Sequence, residues 1–178
     1  MPLIRIVVDP GELSSSVVKA LEKQGVEIEI TKLEAGDYVA NHRTAFERLT
    51  IDDFFKSIFE DRKLLSRIKD LANSYERPVL IIEGEDPFFS GRTINPTSIQ
   101  GFLKTIAVSF RVPTLFTLNE AETAEVISSI TRAEQSDYYK RYRTLTRAIM
   151  DPAGFEPAAF ALRTQRSTPD LQALEKNK

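Results

Sequence analysis

Short apolar segments alternate with amphipathic ones along most of the chain. Strand-length apolar or alternating runs lie at residues 3–8, 26–30, 36–39, 44–49, 79–82 and 112–118. Apolar side chains that recur every three or four residues predict helices over segments 13–25, 54–59, 64–75, 96–110 and 119–130. Strands that alternate with helices favour an α/β fold, in which a central mixed, mainly parallel sheet is flanked by helices on both faces.

Local signals mark where several of these elements begin and end. A polar turn at residues 41–43 predicts a hairpin between the two short strands on either side of it. Asn95 followed by Pro96 is typical of a helix N-terminus. Asn119 with Glu122 three residues later resembles a capping arrangement for the last predicted helix.

The chain is predicted to form one domain followed by a tail. At 178 residues and 42% hydrophobic content, it is long enough for one packed core and too short for two large ones. We assign residues 1–135 to this domain and residues 136–150 to a basic and aromatic helical extension. Residues 151–178 are rich in Ala, Pro and Thr without periodicity, so a poorly ordered tail is expected there.

Composition excludes several kinds of site. The chain has no cysteine and a single histidine, His42, so disulfide frameworks, thiolate metal sites and imidazole clusters are ruled out, and any bound metal must be held by oxygen atoms. A net charge of −2 does not suggest a protein that coats nucleic acid by bulk positive charge. Neither a signal segment nor a membrane-length apolar run is apparent, so we expect an intracellular protein, cytoplasmic, or nuclear if eukaryotic.

Acidic side chains recur at the end of the first predicted strand, in the predicted hairpin and at the start of the helix that follows it. Five of them are candidates for one acidic pocket at the edge of the sheet: Asp9, Glu12, Asp37, Glu47 and Asp53. Clustered carboxylates repel one another unless a cation lies between them, and oxygen-only ligands favour Mg²⁺ or Mn²⁺. Such an ion supports phosphodiester cleavage. Spacing alone favours the simpler interpretation, in which these acids are scattered over the surface of an acidic domain.

The sequence motifs around these acids favour a shared acidic pocket over scattered surface acids. Gly36-Asp37-Tyr38, Phe46-Glu47-Arg48 and Thr50-Ile51-Asp52-Asp53-Phe54 together resemble the nuclease motif of the XPF and Hef family. The resemblance extends over roughly residues 3–140, which makes it far more specific than a lone motif. It implies a restriction-endonuclease-like fold, dependence on Mg²⁺ or Mn²⁺, and cleavage of branched DNA such as flaps, forks and junctions in DNA repair or replication-fork processing.

The resemblance also implies roles for individual residues. Asp37 and Glu47 match the metal ligands, and Asp9 and Glu12 would complete or support the acidic pocket. Arg48 and Asp53 are expected to orient the site or the scissile phosphate. Arg62 is a candidate contact to the DNA backbone, although a solvated helix arginine is the simpler alternative for that side chain.

The sequence departs from the family pattern at two positions. Leu49 stands where the family has a lysine, whose ammonium group holds the attacking water and stabilises transition-state charge, and Gly11 replaces an arginine. Three interpretations of Leu49 follow. The protein is a slow or silent DNA-binding or dimer-partner subunit, another cation such as Lys56 reaches the site, or the substitution is engineered.

Other functions and partners rest on weaker signals. A sheet domain that binds a small phosphorylated ligand ranks last, because no glycine-rich phosphate loop follows the first strand. No helix-hairpin-helix module is recognisable after Gln135, so affinity for DNA is weak or supplied by a partner. The resemblance implies a homodimer or pairing with a related subunit. The apolar helix over Ile99 to Phe110 and the segment Val126 to Ile130 are candidate surfaces, and the same residues are equally compatible with a buried core.

Overall fold

A six-stranded sheet forms the centre of the molecule. The computed structural model describes residues 4–58, 63–84 and 96–136. Across the sheet the strands follow the order β2-β1-β3-β4-β5-β6. Their bounds along the chain are β1 Ile4–Val8, β2 Val26–Ile30, β3 Tyr38–Val39, β4 Thr44–Thr50, β5 Arg77–Glu83 and β6 Thr114–Thr117.

Strand directions make the sheet mixed and mainly parallel. The pairs β1 with β2, β4 with β5, and β5 with β6 are parallel. The short strand β3 runs antiparallel to both β1 and β4, and it joins the two halves of the sheet. The predicted hairpin is therefore present, and the predicted sheet architecture is confirmed.

Helices cover both faces of the sheet. They are α1 Ser16–Lys23, α2 Ile51–Lys56, α3 Leu64–Ser74, α4 Pro96–Lys104 and α5 Glu120–Gln135. Apolar side chains of α1 and α5 pack in one core cluster with Ile6, Phe46 and Ile81. Side chains of α2, α3 and α4 pack in a second cluster with Leu49 and Leu80. Each strand of the sheet centre therefore buries side chains on both faces, as parallel strands covered by helices do.

Three local features differ from the sequence expectation. The first helix begins at Ser16, because Pro10–Glu12 forms a 3-10 turn and the Ser15 hydroxyl accepts a hydrogen bond from Val17 N at 3.1 Å. Leu13, expected on its apolar face, is 51% exposed. The predicted helix after Pro96 continues past α4 as a π-helical segment, Thr105–Ser109. The N-cap at Asn119 is confirmed, since its side chain accepts from Glu122 N at 3.0 Å.

Several predictions lie outside the described residues. These are the cap at Asn95, the DNA contact at Arg62 and, beyond Ser136, the helical extension and the tail. None of the described helices is both long and apolar enough to cross a lipid bilayer.

Candidate active site at the sheet edge

A cavity of about 400 Å³ opens beside the carboxyl end of β1, between β4, α3 and the loop that leads to β3. Its charged lining is mainly acidic, with Lys32 and Arg67 as the basic side chains. The acids that line it are Asp9, Glu12, Glu34, Asp37, Glu47 and Asp70. Four of the five acids singled out from the sequence therefore meet in one place.

Main-chain hydrogen bonds fix Asp37 between two strands. Its amide donates to Phe46 O at 2.8 Å, and its carbonyl accepts from Asp9 N at 2.9 Å. The preceding Gly36 has a φ of 82°, a left-handed conformation that glycine adopts without strain. The Asp37 carboxylate accepts a hydrogen bond from Arg48 N at 2.7 Å. The backbone therefore determines where this carboxylate points.

Glu47 lies on β4, and its side chain is only 2% exposed. It shares the α2–α3–α4 face of the strand with Leu49, as strand alternation predicts. The guanidinium of Arg67, from α3, contacts Glu47 Oε1. The same nitrogen, Nη2, lies 3.4 Å from Asp37 Oδ1. The two carboxylates thus approach each other around one positively charged atom.

Burial disfavours the ionised forms of the Asp37 and Glu47 carboxyl groups. Removal from water raises the pKa of Asp37 to about 6, while the hydrogen bond from Arg48 N acts in the opposite direction. Removal from water also raises the pKa of Glu47 to about 8, and the nearby negative charge of Asp37 adds to this. The positive charge of Arg67 opposes both shifts. A second positive charge in the cavity would favour the ionised forms further.

Asp9 is held in its ionised form by a different environment. Its carboxylate accepts hydrogen bonds from Leu33 N at 3.0 Å and Gly11 N at 2.9 Å, and pairs with Lys32 Nζ at 3.1 Å. The two backbone donors in particular lower the pKa of Asp9. Asp9 therefore ties the loop after β2 to the end of β1 and presents a negative wall to the cavity.

Glu12, which lines the cavity, also belongs to a network with Arg48, whose side chain lies on the opposite face of β4 from Glu47. Tyr38 Oη donates to Glu12 Oε2 at 2.6 Å, and Arg48 Nη1 donates to the same oxygen at 3.2 Å. The Arg48 guanidinium also donates to the buried carboxylate of Glu83, from Nε at 3.0 Å and from Nη2. Thr123 Oγ1, on α5, donates to Glu83 Oε2 at 2.7 Å. The Arg48 side chain is thereby held away from Asp37, which receives its backbone amide instead.

Asp53 and Lys56 lie apart from the cavity-lining residues. Asp53 is in the first turn of α2, where its carboxylate accepts from Thr50 Oγ1 at 2.7 Å and pairs with Lys56 Nζ at 3.6 Å. Both side chains are more than half exposed. Lys56 therefore faces Asp53, not the acid pair. Leu49 is 5% exposed and packs in the apolar cluster beneath α2 and α3.

The sequence offers little indication that two important side chains, Glu83 and Arg67, belong to the site. Glu83 ends a buried strand at the carboxyl edge of the sheet, as Asp9 does, and the same argument from strand ends identifies it. Arg67 follows a helical pattern whose apolar positions are Leu64, Ile68 and Leu71, and its place in that pattern resembles that of any solvated helix arginine. Only the packing of α3 against β4 brings it to the acids.

No three His, Cys, Asp or Glu side chains are arranged to hold a metal ion within residues 4–58, 63–84 and 96–136. At the centre of the cavity the pair Asp37 and Glu47 holds a guanidinium group instead. The donors that surround this position are carboxylate oxygens, which are the ligands that Mg²⁺ and Mn²⁺ prefer.

The α/β sheet and the acidic cavity at its edge together define the class of domain to which the chain belongs. Residues 8–130 match the ERCC4 domain family, and the chain belongs to this nuclease family. The predicted family resemblance is confirmed.

Named relatives agree with this assignment. The chain is 27% identical over 128 residues to the 3′-flap repair endonuclease Xpf of Saccharolobus solfataricus, covering 72% of this chain and 54% of the relative. It is 38% identical over 132 residues to a Methanocaldococcus jannaschii protein whose name assigns it to the ATP-dependent RNA helicases, covering 74% of this chain and 16% of the relative.

A solved structure shares the fold. XPF from Aeropyrum pernix, solved in complex with DNA, matches with a TM-score of 0.67 and 31% identity over 74% of this chain and 64% of that one. In each of these comparisons the present chain spans less than two thirds of the matched protein.

Proposed function

We propose that this domain is a divalent-metal-dependent endonuclease that cuts branched DNA, such as flaps, forks and junctions, in DNA repair or replication-fork processing. The observation that carries the proposal is the convergence of Asp37 and Glu47 on one cation position in an open, acidic cavity. Membership of a nuclease family supports the reaction type. The name of the Saccharolobus relative, a 3′-flap endonuclease, supports the substrate class.

Asp37 and Glu47 would hold Mg²⁺ or Mn²⁺ in this cavity. The fit rests on their oxygen donors, on their shared approach to a positive charge and on the absence of cysteine from the chain. A bound ion of this kind supplies a polarised water and stabilises negative charge that develops on a phosphate.

The surrounding residues would hold this pair in place. Arg48 N fixes the orientation of Asp37, while the Arg48 side chain links Glu12 to the buried Glu83 and keeps that wall of the cavity rigid. Asp9 ties the loop after β2 to the site. Hydrolysis adds a water oxygen to phosphorus and breaks one P–O bond, and the leaving oxygen takes up a proton.

Two further residues stay proposals from the family motif. Asp53 would assist from the first turn of α2, where it is exposed and accessible to a bound strand. Arg62 would contact the DNA backbone. The Aeropyrum pernix relative, whose structure contains DNA, supports a DNA-binding role for this chain.

A labelled flap tests the proposal directly. Wild-type protein with Mg²⁺, and separately with Mn²⁺, should cut the flap, and EDTA should abolish cutting. Asp37→Asn and Glu47→Gln should each lower the rate by at least about 100-fold, the scale on which removal of a site's key electrostatic group acts. Glu125→Gln, which removes an exposed acid from α5, is the matched control and should retain full activity. Metal-independent cutting, or full activity in Asp37→Asn, would contradict the proposal.

A second candidate function is a catalytically impaired subunit with the same fold, which binds DNA or a related partner. The observation that favours it is Leu49, an aliphatic side chain that is buried two residues after Glu47. In that case wild-type protein would bind flap DNA without cutting it in either metal, and Leu49→Lys would cut while binding with unchanged affinity.

We also propose that the chain forms a homodimer through the edge of the sheet at β6. This strand pairs with β5 and ends the described sheet. Apolar side chains are exposed on it and directly after it: Leu115 36%, Phe116 47% and Leu118 68%. An exposed apolar strand edge is unusual in a monomer and favours a second copy as its cover. On the predicted surfaces, Ile99 and Ile127 are buried in the core, so their neighbours would provide the contact.

A further inference from the structure

A cationic side chain lies between the two acids of the site. Arg67 Nη2 contacts Glu47 Oε1 and lies 3.4 Å from Asp37 Oδ1, so one guanidinium nitrogen occupies the space between the two carboxylates. The proposed function places a divalent ion between the same oxygens. Two positive charges cannot share that position, because their repulsion at contact distance in a partly buried site is large.

The other cations near the site are committed elsewhere. Lys32 pairs with Asp9, and the Arg48 guanidinium is bound between Glu83 and Glu12, where only 10% of its side chain is exposed. Lys56 pairs with Asp53. Within residues 4–58, 63–84 and 96–136, Arg67 is therefore the cation held by the acid pair itself.

Arg67 is also more exposed than the other arginine near the site. Its side chain is 46% exposed, in contrast to the buried Arg48. Neighbouring apolar side chains Leu64 and Ile68 anchor the helix in the core, so a change of the Arg67 rotamer would not require α3 to shift. A guanidinium that leaves the carboxylates would still line the cavity, and the phosphate of a bound DNA would offer it oxygen acceptors of the same kind.

We infer that Arg67 is the exchangeable cation of this site: it occupies the position between Asp37 and Glu47 in the metal-free protein, yields that position to a divalent ion, and then pairs with the phosphate of the bound DNA. The inference rests on the proposed nuclease function. It assigns to α3 the positive charge that Leu49, buried beside the same acids, does not provide. Arginine suits this task because its planar group pairs in turn with carboxylates and with phosphates.

If Arg67 exchanges with the metal, the substitution Arg67→Met should have opposite effects on metal affinity and on the rate of DNA cutting. Arg67→Met removes the competitor of the metal, so the affinity for Mn²⁺ at pH 8 without DNA, measured by calorimetric titration, should rise by at least about fivefold, the lower end of the usual range for coupling between two bound groups. The same variant should cut flap DNA at least about 10-fold more slowly at saturating Mn²⁺, because the charge on the phosphate is no longer balanced. A purely structural role would lower both quantities together.

Three further variants make the test more specific. Lys69→Met removes the same charge from the same helix, outside the residues that line the cavity, and should change neither measurement. Arg67→Met combined with Leu49→Lys places an ammonium group on the face of β4 that carries Glu47, and should recover part of the lost cutting. Arg67→Lys, which keeps a mobile charge on α3, should lie between wild type and Arg67→Met in both measurements.

The outcomes separate this inference from the proposed function. Unchanged or weaker Mn²⁺ binding by a folded Arg67→Met protein overturns the exchange, whatever the flap assay shows. Tighter binding by that variant, with no flap cutting by any of the proteins, supports the exchange and rejects the nuclease activity. Equal tightening by Lys69→Met would show a general charge effect and would also overturn the assignment to Arg67.

Discussion

Asp37 and Glu47 are ionisable side chains that the fold removes from water. The folded protein holds their protons to a higher pH than the unfolded chain does, because burial raises both pKa values. As the pH rises from the ordinary carboxyl range to about 8, the unfolded state has already lost these protons and the folded state still binds them. The free energy of unfolding therefore falls over that window in the absence of metal.

Glu47→Gln should remove much of this pH dependence. In EDTA at pH 8 the variant should be more stable than wild type by about 2 kcal/mol, and near pH 4 the two proteins should be equally stable. Urea denaturation at both pH values measures the difference. A variant that is less stable than wild type at pH 8 would show that the ion pair with Arg67 outweighs the burial of the charge.

Two properties of Gly36 help to position Asp37: its backbone conformation and the lack of room for a side chain beside it. A Cβ at this position would lie 2.8 Å from Leu71 Cδ1 and 3.1 Å from Phe46 O, at a φ of 82° that other residues rarely adopt. We expect Gly36→Ala to destabilise the protein by about 2–3 kcal/mol and to reduce metal affinity, because Asp37 must shift. Gly25→Ala is the control, since Gly25 has a similar φ of 75° with open space around it, and it should lose only about 1 kcal/mol. Equal losses of stability for the two variants in thermal denaturation would show that the backbone conformation alone, and not the contacts with Leu71 and Phe46, determines the cost of Gly36→Ala.

At the level of elements, a buried charged network joins β4, β5 and α5. Glu83 accepts hydrogen bonds from Arg48 and from Thr123, whose hydroxyl also lies 2.6 Å from that of Thr117 on β6. These contacts connect the wall of the cavity to the opposite face of the sheet. They therefore help to fix the position of β4 beside the acid pair.

Glu83→Gln should be strongly destabilising. The substitution leaves the buried guanidinium of Arg48 without its main counter-charge, and breaking one partner of a buried ion pair typically costs about 3–5 kcal/mol. Glu27→Gln breaks an exposed pair with Arg5 and should leave the stability almost unchanged. Chemical denaturation of both variants checks the contrast, and similar losses in the two would argue against a structural role for the network.

The sequence predicted the elements well where periodicity and end signals agreed. The strand over 26–30 and the cap at Asn119 have the expected bounds, since alternation and capping are local properties. The start of α1 differed because Ser15, not Leu13, determines it. Four acids of the site were predictable from the family motifs and their surroundings, whereas spacing alone favoured scattered surface acids. Arg67 was not predictable, because its role depends on how α3 packs against β4.

At the scale of the whole molecule, the exposed apolar edge at β6 predicts a dimer. Phe116→Lys should convert a dimer to a monomer in light scattering at micromolar concentration, because it places a charge within the proposed contact. Leu13→Lys is the matched control, since Leu13 is 51% exposed at a distant position after β1, and it should leave the mass unchanged. A wild-type protein that is monomeric at these concentrations would contradict the proposed surface.

The order of charges along the chain has a consequence for synthesis. Both acids of the pair lie in residues 37–47, and the guanidinium that separates them follows on α3, beginning at Leu64. A nascent chain that has emerged only as far as β4 has no guanidinium to compensate the burial of these two acids, so their loss of hydration disfavours closure of the hairpin. Emergence of α3 supplies that positive charge together with the apolar side chains that cover Leu49. We therefore expect the sheet centre to close only after α3 has left the ribosome.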